Sequence, residues 1–248
     1  MGGENVEGTP AFVPQRRKAA LVLLSVTLIW GATFIWMKQA LNALEVEIEV
    51  FGKFPVVAYL VALRFLIAMV LVLAVFPKTM NGLRSKSVWT GGAILGGLML
   101  VGFVSQMVAL DDINPATSAF LTSLYVVMTA LLTMRMSQHP PRRALYWGVL
   151  LATVGAAFIE GPPHLSWGWG EIITVACALF FALHIIFTQK LTLEMDPLML
   201  TLTSFMVVGF GSLALAVGSA SEAVEMMTQV LQRDGVLPVS YTHLTLPT

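Results

Sequence analysis

Seven segments of this chain stay apolar over lengths that suit a lipid bilayer, and they settle most of what it can fold into. A helix needs about 20 mostly apolar residues to cross a hydrocarbon core of about 30 Å. Windows of that kind fall at 19–37, 54–76, 88–110, 115–134, 144–159, 170–188 and 198–218. In lipid every backbone amide must be satisfied within its own segment or in a closed barrel. Barrel strands alternate apolar and polar residues over about ten positions, whereas these runs are apolar all round. They predict an all-α integral membrane protein, a polytopic helix bundle. Composition agrees, with 57 % hydrophobic and 11 % charged residues where a soluble domain carries roughly 25 % charged.

The first span is longer than the apolar core of a signal peptide and is closed by no small-residue cleavage site, so it reads as a membrane helix. Strict alternation occurs at Glu45-Val46-Glu47-Ile48-Glu49-Val50. A short strand or extended loop fits it, and its three carboxylates point to a solvated connector between the first two spans. The net charge is zero, which leaves no basic footprint for nucleic acid. A single cysteine, Cys177, lies inside a span and reads as a small packing residue; it excludes a disulfide framework or thiolate metal cluster.

Basic residues fix an orientation. Arg16, Arg17 and Lys18 precede the first span, Lys78, Arg84 and Lys86 follow the second, and Arg135, Arg142 and Arg143 follow the fourth. With Lys190, that puts ten of the 14 basic residues on one side. Positive loops stay in the cytoplasm, so the amino-terminal tail, residues 1–18, is expected inside and the seventh span exits outside. The acidic loops around Glu45, Glu49, Asp111, Asp112 and Glu160 then face out.

The segment Leu28-Ile29-Trp30-Gly31-Ala32-Thr33-Phe34-Ile35-Trp36-Met37-Lys38-Gln39 has a weak echo in the sixth span, Leu179-Phe180-Phe181-Ala182-Leu183-His184-Ile185-Ile186-Phe187-Thr188-Gln189-Lys190. Each runs an aromatic, a small residue, a central polar residue and a polar or basic exit. A unit of about five spans is odd, so its second copy is inverted, as in many secondary transporters. Residues 19–160 would form the first unit and 168–218 begin the second, which needs three more spans. Residues 219–248 are a polar tail with no segment able to span. Residues 238–248 read as foreign sequence rather than a native terminus.

Leu95-Gly96-Gly97-Leu98-Met99-Leu100-Val101-Gly102-Phe103-Val104-Ser105-Gln106 leading into Ser118-Ala119-Phe120-Leu121-Thr122-Ser123-Leu124-Tyr125 resembles the third and fourth helices of the EamA family in the drug/metabolite transporter superfamily. Trp30-Gly31-Ala32-Thr33-Phe34, Leu63-Arg64-Phe65 and Gly148-Val149-Leu150-Leu151-Ala152-Thr153-Val154-Gly155 fit its first, second and fifth helices. Glu171 and Ala178-Leu179-Phe180-Phe181-Ala182 fit the start of its second repeat. The resemblance implies ten helices in two inverted five-helix repeats, of which about seven are present here. It also implies a multi-pass permease of the inner, cytoplasmic membrane that moves a small-molecule substrate by alternating access. Where many members carry a Glu after the fourth helix, this chain has Met136-Ser137-Gln138.

Among polar residues, Arg64 is the most expensive to place in a span, at about 2.5–3.5 kcal/mol at a helix centre. It is either a contact for an anion or carboxylate, or an anchor bonded to helix-end carbonyls. His184 suits proton coupling or substrate contact, or an interhelical hydrogen bond. Thr33, Gln106, Thr122 and Tyr125 either line a cavity or bond across helices for about 0.6 kcal/mol each. Trp30 is the cavity candidate of its pair, and Trp36 reads as a belt residue at the membrane interface. Gly92-x-x-x-Gly96 reads as a close helix contact, and Asn114-Pro115 as the turn that opens the fourth span.

The competing class is a membrane-embedded enzyme. A serine protease needs a Ser and a His placed to interact, and Gly209-Phe210-Gly211-Ser212 does not supply that setting. The four histidines, at 139, 164, 184 and 243, lack metal-ligand spacing, so no catalytic, cofactor or metal residues are assigned. Neither a repeated pore element nor a charged ring suggests a channel. A carrier fits best.

Overall fold

The computed structural model describes residues 12–136, 147–148, 151 and 168–233. Helix α1 (Phe12–Ala43) is followed by the short α2 (Glu45–Phe51) and then by α3 (Lys53–Val75). A 3-10 segment, Pro77–Arg84, leads to α4 (Lys86–Asp112), and α5 is Pro115–Met136. After the gap come α6 (Trp169–Leu191), α7 (Pro197–Ser219) and α8 (Ala223–Gln232). Six of these helices are long and apolar enough to cross a membrane among the described residues. They correspond to every expected span except the fifth, 144–159, which lies outside the described residues, as does 238–248.

Local chemistry explains the helix starts. Asp196 caps α7, its Oδ1 accepting from the amides of Leu198 at 2.9 Å and Met199 at 3.0 Å, with Pro197 at the first helical position. Asn114 does the same for α5, its Oδ1 accepting from the Thr117 amide at 2.8 Å. At α6 the Glu171 carboxylate reaches back to the Gly168 amide at 2.9 Å. Gly52, at φ 93°, separates α2 from α3 in a conformation that side chains with a Cβ avoid.

α4 is the centre of the bundle, packed on α6 and α7; α7 also lies along α3, and α6 along α5. Only 11 % of the apolar window of α1 is buried, against 50 % for α4, so α1 lies at the edge. Close approach of α4 and α7 depends on small residues. A Cβ on Gly96 would lie 2.6 Å from Val207 Cβ and 2.8 Å from the Ser204 carbonyl oxygen, and Gly92 faces Thr203. The expected Gly92-x-x-x-Gly96 contact is therefore the crossing of α4 with α7.

The two ends of the bundle differ in charge, with Glu194 and Asp196 as acidic groups at the otherwise basic end. One end carries Glu45, Glu47, Glu49, Asp111 and Asp112; the other carries Lys78, Arg84, Lys86 and Lys190. At the acidic end the Lys53 amine bridges Asp111 at 2.8 Å and Asp112 at 2.7 Å. The Lys38 amine donates to the last carbonyls of α4, Leu110 at 2.9 Å and Asp111 at 2.6 Å. These groups are orphans of helix termination, where a cation is favoured. Thus α1 and α3 are both tied to the carboxyl end of α4.

One sequence expectation changes here. Residues 45–50 form neither a strand nor an extended solvated loop, but the helix α2, and Glu47 is buried at 3 % exposure. Leu44, Glu47, Ile48 and Phe51 recur at helical spacing and turn inward together, so the helical period overrides the alternation. The tail after the last long helix also contains structure: α8 buries Met226 and Val230 against Leu44, Val56 and Tyr59. Arg233, next to α8, holds its Nε 3.5 Å from Glu47 Oε1 and donates to the Ala43 carbonyl at 3.2 Å. Glu47 Oε2 is buried with no hydrogen-bond partner among the described residues.

Candidate functional site

A cavity of about 210 Å³ opens between α1, α3 and α4. Thr33, Trp36, Met37 and Ala40 come from α1, Leu60 and Arg64 from α3, and Met107 from α4. Thr33 and Arg64 are thus brought together, as members of one wall. Trp36, read from the sequence as a belt residue, lines the cavity, whereas Trp30 stacks on Tyr125 with ring centroids 6.0 Å apart and planes 26° apart.

Arg64 is held in an unusual way. Its Nη1 lies 3.3 Å from Met37 Sδ, a weak acceptor. Its guanidinium carbon is 4.9 Å from the centre of the Phe103 ring and 5.9 Å from that of Phe65. Those rings belong to a run of edge-to-face contacts across four helices: Phe205 on Phe65 at 5.4 Å, Phe65 on Phe103 at 5.0 Å, and Phe103 on Phe181 at 5.0 Å. A cation over a ring face is attracted to the π quadrupole, most strongly when desolvated. Neither a carboxylate nor a helix-end carbonyl pairs with Arg64 among the described residues. The anchor arrangement considered from the sequence is not the one seen.

The other candidates lie elsewhere. Gln106 and Thr122 are buried and satisfy each other, the amide Nε2 donating to the hydroxyl oxygen at 3.0 Å between α4 and α5. His184 faces α4 lower down, with Nδ1 3.2 Å from the Leu95 carbonyl and Nε2 3.4 Å from the Thr188 hydroxyl. A carbonyl only accepts, so Nδ1 carries the proton in this bond and Nε2 can accept from Thr188. Leu95 and Met107 are about 18 Å apart along α4, at 1.5 Å per residue, so His184 and the Arg64 cavity are separate places. Cys177 is buried, its thiol donating to the Thr174 carbonyl at 3.0 Å.

Sequence reasoning missed Met37, Ala40, Leu60 and Met107 as lining, and Phe103 as the ring beneath Arg64. One signal was present for the helix-one residues: Thr33, Met37 and Ala40 follow the 3–4 residue step of one helix face.

The architecture is that of a multi-pass membrane protein with a half-buried cation in a cavity between its helices. A match to the EamA-like transporter family covers residues 17–161, and the chain belongs to that family of membrane transporters. It is similar, at 29 % identity over 186 residues, to an uncharacterized transporter of Archaeoglobus fulgidus. That similarity covers 75 % of this chain and 54 % of the relative, so the chain spans about half the length of the curated relative it matches. No solved structure matches it.

Proposed function

We propose that this chain forms the solute-binding part of a secondary transporter that moves a small metabolite or drug-like compound across the cytoplasmic membrane by alternating access. The observation that carries the reading is Arg64, a cation placed among three membrane helices, beside a cavity, with no protein carboxylate on it among the described residues. A charge in a span is costly, and a permeating anion is the partner that makes its place there useful. On the distribution of lysine and arginine the basic end is cytoplasmic, with the amino terminus inside. The full fold is two inverted five-helix repeats, the second beginning at α6. In support, α1 finishes at the acidic end, where Lys38 meets α4, and α6 starts there, with Gly170 against Ile113.

The direct test is flux of labelled small metabolites into inverted vesicles carrying the protein. Expected is saturable uptake that Arg64→Ala reduces at least tenfold while membrane insertion is unchanged. Absence of flux across a broad panel of solutes, with and without a proton gradient, overturns the transporter reading. The same vesicles test coupling: a proton-driven carrier using His184 loses its gradient dependence in His184→Gln, and an unaltered dependence removes His184 from that role.

A further inference from the structure

We propose that the Arg64 cavity selects small amphipathic monoanions, an apolar or aromatic body bearing one carboxylate, and discriminates against zwitterions and amines. This rests on the transporter reading and specifies the ligand of its site.

Among the described residues, the cavity lining carries one formal charge, that of Arg64, and one hydroxyl, that of Thr33. The rest of its lining is Trp36, Met37, Ala40, Leu60 and Met107, which is apolar apart from the indole N–H. Among the described residues, the acidic groups lie at the ends of the bundle, and three of them meet a cation there. Asp111 and Asp112 are on Lys53, and Glu47 is beside Arg233. A ligand ammonium would therefore enter an apolar space without a counter-charge, a state that costs far more than it returns.

Arg64 itself is prepared for a carboxylate. Guanidinium presents five N–H donors in a planar fork that matches a carboxylate bidentately. With the Phe103 and Phe65 rings close to the group, and only the Met37 sulfur on Nη1 among the described residues, donors remain for a ligand. The Thr33 hydroxyl already donates to the Trp30 carbonyl at 2.6 Å, so its proton is engaged and Arg64 is left as the donor to a ligand carboxylate. The cavity volume of about 210 Å³ gives room for a small apolar body. Trp36 supplies an aromatic wall for the ligand body.

The test is calorimetric titration of the purified full chain in lipid nanodiscs with three probes of one shape: 3-phenylpropionate, phenylalanine and phenethylamine. Expected is binding of 3-phenylpropionate at least tenfold tighter than phenylalanine, with phenethylamine weakest. Arg64→Gln should lose 3-phenylpropionate binding and Arg64→Lys should restore part of it. Ala40→Phe, which fills the cavity without touching charge, should abolish binding as well. Equal or tighter binding of phenylalanine or phenethylamine overturns the proposal, as does 3-phenylpropionate binding that survives both Arg64→Gln and Ala40→Phe. If no probe binds while the vesicles still transport other solutes, the ligand class is wrong and the transporter reading stands. If binding depends on Arg64 but no solute is moved, the ligand class stands and the transporter reading fails.

Discussion

At Gly96 one methyl group decides how near two membrane helices can come. Alanine gains about 1 kcal/mol over glycine in helix propensity. Its Cβ would sit 2.6 Å from Val207 Cβ and 2.8 Å from the Ser204 carbonyl oxygen, and that backbone atom cannot rotate away. Overpacking of this sort costs about 1–3 kcal/mol, so Gly96→Ala should lower stability in a detergent-unfolding titration. Gly97→Ala is the control: nothing lies within 4 Å of its added Cβ, and it should be neutral or stabilising. His184 is a second case at this scale. Its bond to the Leu95 carbonyl predicts that His184→Leu loses about 0.6 kcal/mol, the usual worth of an interhelical hydrogen bond in lipid, in the same titration. A loss of several kcal/mol would show that more than this bond depends on the imidazole. Arg64 and Thr33 could be picked out from the sequence because polar groups are conspicuous inside apolar runs. Met37, Leu60 and Met107 could not, since an apolar residue that lines a cavity looks like one that faces lipid.

Among elements, the edge helix α1 is the one whose attachment can be dissected. It buries little surface, so its position depends strongly on Lys38 at the end of α4. A charged donor bonded to two carbonyls is worth about 1.5–3 kcal/mol, and Lys38→Met should lose an amount in that range. Lys53→Met removes exposed ion pairs with Asp111 and Asp112, worth about 1 kcal/mol or less and screened by salt. Unfolding at low and high salt separates them: the Lys53 effect should shrink with salt and the Lys38 effect persist. The element that sequence misrepresented is α2. Over six residues an alternating pattern and a short helix share too many positions to be told apart by period. What resolves it is tertiary: the stripe from Leu44 to Phe51 meets α8, a partner far away in the chain.

For the whole molecule, topology was the most legible property. Span length is imposed by the bilayer, so it can be read without knowing a single contact, and the lysine and arginine distribution supplies the proposed orientation. Among the described residues, the bundle collects Lys78, Lys86 and Lys190 at one end and Glu45, Glu49, Asp111 and Asp112 at the other. Cys177 is fully buried, which leaves a quiet background for labelling. In intact cells a membrane-impermeant maleimide should modify Glu49→Cys and spare Lys86→Cys until the membrane is opened. The opposite pattern would invert the proposed orientation. Which helices touch was not legible, because apolar faces carry no address; α4 became the hub through its glycines.

The pairing of Glu47 with Arg233 sets an order of events during synthesis. The Ala43 carbonyl and the Arg233 side chain that reaches it are 190 residues apart, so every long helix of the described bundle leaves the ribosome before the clasp can form. Until then Glu47 lacks the Arg233 cation that it meets in the folded chain. Among the described segments, the docking of α8 is thus what closes this end of the bundle over Glu47.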